Sequence, residues 1–165
     1  MNNEQKYSSR EERDKMKAVR PKPSGKISRG EYARQNTRFL EEMRTQEGVF
    51  TLDKGVLYKV ITQGSSEGAC PTERSIITVH YTGRLTDGRV FDGSRGGTPL
   101  AIRLSDLIPG WIVALQKMHV GDRWEVFIPA EMGYGKRPLP GIPGGSTLLF
   151  DIELLSVMLH PYQLL

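Results

Sequence analysis

Five runs of this 165-residue chain place apolar side chains at every second position, and the same region has only one short run with helical spacing. Val56, Tyr58 and Val60 alternate with Leu57, Lys59 and Ile61. Ile77, Val79 and Tyr81 form a second run, and Leu100, Ile102 and Leu104 a third. Trp124, Val126 and Ile128 form a fourth, and Leu148, Phe150, Ile152 and Leu154 a fifth. Successive side chains of a strand point to opposite faces, so each run marks a face that must be covered. Ile108, Trp111, Ile112, Leu115 and Met118 share one side of a helix over residues 108–118 and can supply that cover. The predicted fold class is therefore α+β: a twisted antiparallel β-sheet curled around one short α-helix, with a pocket between them. The 18 glycines and 10 prolines fit the many turns such a sheet needs.

The most informative stretch is Val79-His80-Tyr81-Thr82-Gly83, followed by Arg84-Leu85-Thr86-Asp87-Gly88-Arg89-Val90-Phe91-Asp92. Asp87-Gly88 between two strand-like runs predicts a hairpin with a two-residue turn, because both residues tolerate positive φ. Tyr81 and Phe91 then flank the hairpin, and Asp92 follows directly. Beyond a Gly-rich bend, Ser105-Asp106 is a candidate N-cap, and Pro109 falls in the first helical turn, where a missing N–H costs little. Residues 130–146 read as one long loop holding Tyr134 and Ile142.

The N-terminal third differs from the rest. Residues 1–48 carry 12 Lys and Arg against 8 Asp and Glu, a net of +4, while residues 49–165 carry 11 of each. Residues 1–29 hold few large apolar groups and are interrupted by Pro21, Pro23 and Gly25. They are expected to be a basic, largely disordered arm, helical at most in patches between Ser8 and Arg20. A basic arm could touch nucleic acid, a ribosome or a membrane surface, but Tyr7 is its only aromatic residue, which argues against nucleic acid. Ser28-Arg29-Gly30-Glu31 matches a capping box, in which the serine hydroxyl and the glutamate carboxylate satisfy amides at a helix start. Tyr32, Asn36, Phe39, Leu40 and Met43 then recur at helical spacing, which predicts a helix over residues 30–45 that packs on the body or on a partner. The tail from Met158 to Leu165 is apolar enough to pack on the body or on another subunit.

Cys70 is the only cysteine, which excludes an internal disulfide and a thiolate metal cluster. No histidines or carboxylates have metal-ligand spacing, and the Gly-rich bend lacks the Gly-Lys-Ser/Thr ending of a phosphate loop. The expectation is no metal and no cofactor. Alternation turns His80 away from the face of Tyr81, and His119 and His160 are expected to be solvated. The first residues contain no apolar signal core, and no run reaches transmembrane length. The chain as it stands is expected to be cytoplasmic, or periplasmic if an export signal has been removed.

Val79-His80-Tyr81-Thr82-Gly83, Asp87-Gly88, Phe91-Asp92, Ile108-Pro109-Gly110-Trp111, Gly133-Tyr134-Gly135 and the run from Thr147 to Leu155 occur in a telling order and spacing. Over about residues 49–157 the chain resembles the FKBP-type peptidyl-prolyl cis–trans isomerases. The lead-in resembles the bacterial subgroup whose catalytic domain follows a helix. This implies a helical extension at residues 30–48 and an isomerase domain at residues 49–165. It also implies catalytic positions at Tyr81, Phe91, Asp92, Trp111, Tyr134 and Phe150, and substrate contacts at Leu100, Leu107, Ile108 and Ile142. Trp111 would be the floor under a prolyl ring. The Ile108 N–H and the Tyr134 hydroxyl would bond substrate carbonyls. Gly97 stands near the usual place of an arginine that pairs with the aspartate, so either Arg95 substitutes from two positions away or the pair is absent. Pro143-Gly144-Gly145 replaces the family's consecutive prolines.

The implied activity is acceleration of X–Pro bond rotation in polypeptides, and so assistance to protein folding. The implied partners are proline-containing polypeptides, macrolide inhibitors and a second copy through the N-terminal helix. Two other readings compete. The domain could be a non-catalytic module that binds proline or a macrolide. Read singly, Trp111 and Phe150 could also be plain core, Tyr81 and Tyr134 buried aromatics with a satisfied hydroxyl, and Asp92 a turn cap.

Overall fold

A computed structural model describes residues 26–158. The expectations for the basic arm up to Gly25, and for the tail from Leu159 including His160, lie outside the described residues. Helix α1 spans Arg29–Arg44. Strands β1 (Val49–Thr51), β2 (Leu57–Thr62), β3 (Ile76–Arg84), β4 (Val90–Gly93) and β5 (Leu100–Arg103) follow. Helix α2 (Pro109–Leu115), β6 (Arg123–Ile128) and β7 (Leu148–Met158) complete the order.

All strand pairs are antiparallel, in the order β1-β2-β6-β7-β3-β4. The long β3 is paired with β7 along its length. Its other edge is shared, with β5 on Ile76–Val79 and β4 on Thr82–Arg84. This puts the bend at residues 94–99, which joins β4 to β5, beside the middle of β3.

Alternation sorts the two faces as the sequence predicts. Ile77, Val79, Tyr81, Trp124, Val126, Ile128, Leu148, Phe150, Ile152 and Leu154 pack with Trp111, Ala114, Leu115 and Met118 of the α2 region in one buried cluster. The sheet has a second cover. Leu57, Phe127 and Leu149 point the other way and meet Phe39 and Met43 of α1. Burying two such side chains is worth about 3–6 kcal/mol, so α1 belongs to the body of the protein. The helix expected to seek the body or a partner finds the body.

Several local expectations need correction. Ser28 Oγ accepts the Glu31 N–H at 3.1 Å, but the Glu31 carboxylate turns to Arg34 and Arg38 instead of closing a reciprocal box. The β3–β4 connection is a three-residue loop, with Leu85 N–H bonded to Arg89 C=O and Gly88 N–H to Leu85 C=O. Gly88 alone takes positive φ, at 90°, where the bulge that ends such a loop needs it. Ser105 and Asp106 do not cap α2. They lie in a 3-10 turn, Leu104–Asp106, and the N-cap is Ile108, with Pro109 in the first turn as expected. The α-helix ends at Leu115, and looser turn bonds carry the chain to Met118. His119 is half-buried rather than solvated, with Nδ1 3.8 Å from the Asp122 carboxylate.

Candidate functional site

β3 aims Tyr81 at the α2 side of the sheet, and the register of β4 explains what meets it. Gly83 pairs with Asp92 and Arg84 with Val90, so Phe91 is an extra residue. A bulge of this kind re-aims side chains. The Phe91 ring lies over Gly83, close enough that a Cβ there would sit 2.7 Å from ring atom Cζ. The next residue, Asp92, accepts the Tyr81 O–H at 2.8 Å through Oδ2 and the Gly93 N–H at 2.8 Å through Oδ1.

Trp111 stands at the centre. Tyr81 and Phe150 each meet it edge to face, with ring centroids 5.3 Å away. Phe91 meets Phe150 in the same way at 5.5 Å. Such contacts add about 0.5–1.5 kcal/mol each beyond area burial and fix the rings relative to one another. Trp111 and Phe150 are buried, Phe91 is half-buried, and Tyr134 is 38% exposed at the rim. Leu100, Leu107 and Ile108 pack half-buried against the cluster, and Ile142 is buried in it. The structure thus joins Tyr81, Phe91, Asp92, Trp111 and Phe150 by direct contacts, packs Leu100, Leu107, Ile108 and Ile142 on the same core, and sets Tyr134 within electrostatic reach of Asp92.

The electrostatics are simple. Burial pushes the Tyr81 hydroxyl well above the ordinary tyrosine range, and the accepting Asp92 carboxylate raises it further. Burial also raises Tyr134, followed by the charge of Asp92. Both hydroxyls are therefore donors at neutral pH. Among the described residues, neither the Tyr134 hydroxyl nor the Ile108 N–H has a hydrogen-bond partner. Also among the described residues, no three His, Cys, Asp or Glu side chains are grouped to hold a metal ion.

Arg95 does not pair with Asp92. Its guanidinium lies 3.8 Å from Asp151 and 3.7 Å from Glu153, on the far face of β7. Asp151 is bonded on two atoms by Arg123, at 2.9 and 2.8 Å. Two further participants were not anticipated. Ser94 Oγ accepts the Tyr81 N–H at 2.9 Å and meets His80 Nδ1 at 3.0 Å, while the Ser94 N–H bonds Tyr81 C=O at 2.9 Å. Leu139 packs on the cluster and exchanges two backbone bonds with Ile142. Pro140-Gly141 between them is a readable turn signal, with Gly141 at φ 76°. Ser94 had no comparable signal.

Residues 67–155 match the family model described as FKBP-type peptidyl-prolyl cis-trans isomerase. The chain belongs to this family. Its FKBP-type region accounts for every strand from β3 onward except the last residues of β7. The chain is 44% identical over 128 residues to the FKBP-type 22 kDa peptidyl-prolyl cis-trans isomerase of Escherichia coli, covering 76% of this chain and 61% of that protein. It is 44% identical over 121 residues to the outer membrane protein MIP of Legionella longbeachae, covering 72% of this chain and 51% of that protein. The chain therefore spans about half to three fifths of the length of these curated relatives. Among solved structures, a peptidyl-prolyl cis-trans isomerase from Pseudomonas syringae superposes with a TM-score of 0.75 at 31% identity, covering 82% of this chain and all of that one.

Proposed function

We propose that this FKBP-type chain accelerates cis–trans rotation of X–Pro bonds in polypeptides and so assists their folding. The observation that carries the reading is the pocket itself. Tyr81, Phe91, Trp111 and Phe150 are held ring to ring, and among the described residues the Ile108 N–H and the Tyr134 O–H have no hydrogen-bond partner.

Amide resonance sets a barrier of about 18–20 kcal/mol to rotation about a peptide bond. For X–Pro bonds the uncatalysed exchange takes roughly tens to hundreds of seconds. No bond is broken, so no nucleophile, general base or metal is needed. The site has only to favour the twisted amide over the planar one. Twisting removes C–N double-bond character and leaves a less polar carbonyl, which an aromatic pocket accommodates better than water does. In this reading Trp111 is the floor under the prolyl ring. Tyr81, Phe91 and Phe150 are its walls, and Leu100, Leu107 and Ile142 extend the apolar surface. The Ile108 N–H and the Tyr134 O–H hold the flanking carbonyls. Asp92 fixes Tyr81 by accepting its hydroxyl.

A protease-coupled isomerisation assay on a proline tetrapeptide tests this. The expected result is a rate above background that a macrolide inhibitor abolishes. A folded protein that gives only the background rate would refute it. One observation favours a second reading, a pocket that binds proline or a macrolide without turnover. Among the described residues, no cation lies within ion-pair distance of Asp92. Binding of the macrolide with no rate enhancement would select that reading.

For assembly, Phe39 and Met43 are already covered by the chain's own sheet, so the homodimer proposed through α1 would use the helix's other side. Light scattering tests it, and a monomer mass would refute it. No helix among the described residues is long and apolar enough to cross a membrane. The Legionella relative is named an outer membrane protein, which supports the periplasmic alternative for location.

A further inference from the structure

We infer that α1 is a positioning element for the pocket, acting through Asn36 and Tyr32 on the loop that carries Tyr134, Leu139 and Ile142. The inference rests on the proposed prolyl pocket and names what holds its most exposed wall in place.

The loop at residues 133–146 is closed at its base. Gly145 N–H bonds Gly135 C=O at 2.9 Å, and Leu139 and Ile142 exchange bonds across the tip. α1 grips the exit of that base. Asn36, 2% exposed, accepts the Thr147 N–H through Oδ1 at 2.8 Å, and its main-chain carbonyl accepts the Thr147 hydroxyl at 3.3 Å. Its amide nitrogen donates to Tyr32 C=O at 2.9 Å, which orients the side chain. A turn earlier, the Tyr32 hydroxyl meets Ser146 Oγ at 2.8 Å. The single Ser146 proton goes to Pro143 C=O, so Tyr32 must be the donor. Gly145 passes so close to the helix that a Cβ there would sit 3.1 Å from the Ala33 Cβ.

The grip is local. Beyond it, helix and loop part around a cleft of about 340 Å³ lined by Arg29, Gly30, Ala33, Lys136, Pro138, Gly144 and Gly145. α1 therefore reaches the loop at its base, and the rest of the loop follows from that base through its own bonds. A packing helix would need only Phe39 and Met43 on the sheet. The buried Asn36 amide on a loop backbone serves position rather than burial, because its bond to the Thr147 N–H, oriented by its bond to Tyr32 C=O, fixes where Thr147 leaves the loop.

The test compares Asn36→Ala and Tyr32→Phe with the full wild-type chain, by hydrogen exchange and by isomerase kinetics. In Asn36→Ala, the Ile142 and Gly145 amides should exchange about tenfold faster, while the amides of β6 and β7 keep their protection. KM for a proline peptide should rise with kcat nearly unchanged, because the loop positions substrate and does not act on the rotating bond. Tyr32→Phe, which removes one oxygen at a half-buried site, should move both readouts in the same direction by less. Loop exchange unchanged in both variants would overturn the inference, as would acceleration of all amides together. An inactive wild type would refute the proposed function and leave the exchange result standing. Unchanged loop exchange in an active enzyme would refute the positioning role alone.

Discussion

Replacing Gly83 by alanine should separate the pocket from the fold. An ideal Cβ at Gly83 would lie 2.7 and 2.8 Å from two atoms of the Phe91 ring and 2.8 Å from Cε1 of Phe150. Carbon–carbon contacts settle at about 3.5–4.0 Å, so all three contacts are short by roughly 1 Å. Phe150 cannot retreat, since it is 3% exposed and pressed edge-on to Trp111. Phe91 is half-buried and can swing toward solvent. Such overpacking costs about 1–3 kcal/mol. Loss of glycine's freedom in the unfolded chain offsets about 0.4–1 kcal/mol of it. A net cost of about 1–2 kcal/mol lowers Tm by roughly 2–8 °C for a chain of this size. A domain stable by about 5–15 kcal/mol then remains almost entirely folded at 25 °C. Any fall in kcat/KM at that temperature must come from the displaced Phe91 wall. Gly97→Ala is the control, because its nearest non-neighbouring atom, Ser94 O, is at an ordinary 3.6 Å. Thermal melts with protease-coupled kinetics decide the matter. A Gly83→Ala protein with unchanged Tm and unchanged kcat/KM would refute the reasoning.

Tyr81→Phe removes the hydroxyl that Asp92 accepts and should lower kcat/KM roughly three- to tenfold without unfolding the domain, measurable by coupled kinetics and circular dichroism. The wild type should also lose stability as pH rises above about 10, where unfolded tyrosine ionises. Folded Tyr81 and Tyr134 hold their protons to higher pH, so the unfolded state binds fewer protons there and is favoured. Urea midpoints at increasing alkaline pH would show it, and Tyr81→Phe should flatten the decline. Asp151→Asn replaces the two-point carboxylate on Arg123 by one neutral acceptor and removes one of the two carboxylates near Arg95. The expected loss is about 3 kcal/mol, at the low end for a buried pair because Arg123 still reaches water, and urea unfolding measures it.

Side-chain period made the sheet and α2 legible, because a buried face repeats at every second residue and a helix face does not. The same rule places Tyr81, Trp124 and Phe150 on one side. Leu57, Phe127 and Leu149 fall on the other side, and nothing in the alternation shows what covers them. That answer depends on a contact across more than a hundred residues, from Asn36 to Thr147, which no local pattern encodes. The β4 bulge was hidden for a related reason. Its extra residue is defined only by pairing with Gly83 and Arg84, so the hairpin read from Asp87-Gly88 alone came out one residue too tight. The Ser105-Asp106 cap failed because the chain first makes a 3-10 turn, which defers the helix to Pro109.

The route of the bend after Asp92 explains how the pocket can do without an arginine at its carboxylate. Ser94 is bonded to both the N–H and the C=O of Tyr81, which locks the bend to β3. Arg95 then crosses to the carboxylates of Asp151 and Glu153, which alternation places on the face opposite Phe150. The cation that does not reach Asp92 instead faces these two carboxylates from behind the bend. Asp92 is left to Tyr81, and the Tyr81 proton is committed to that bond. In the proposed reaction the hydroxyl free to meet a substrate carbonyl is therefore that of Tyr134, and its position depends on the loop that α1 holds. Tyr134→Phe should accordingly raise KM in the wild type. It should add little in Asn36→Ala, where the loop has already lost its fixed position. Additive losses in the double variant would show that α1 and Tyr134 act independently and would break the link drawn between them.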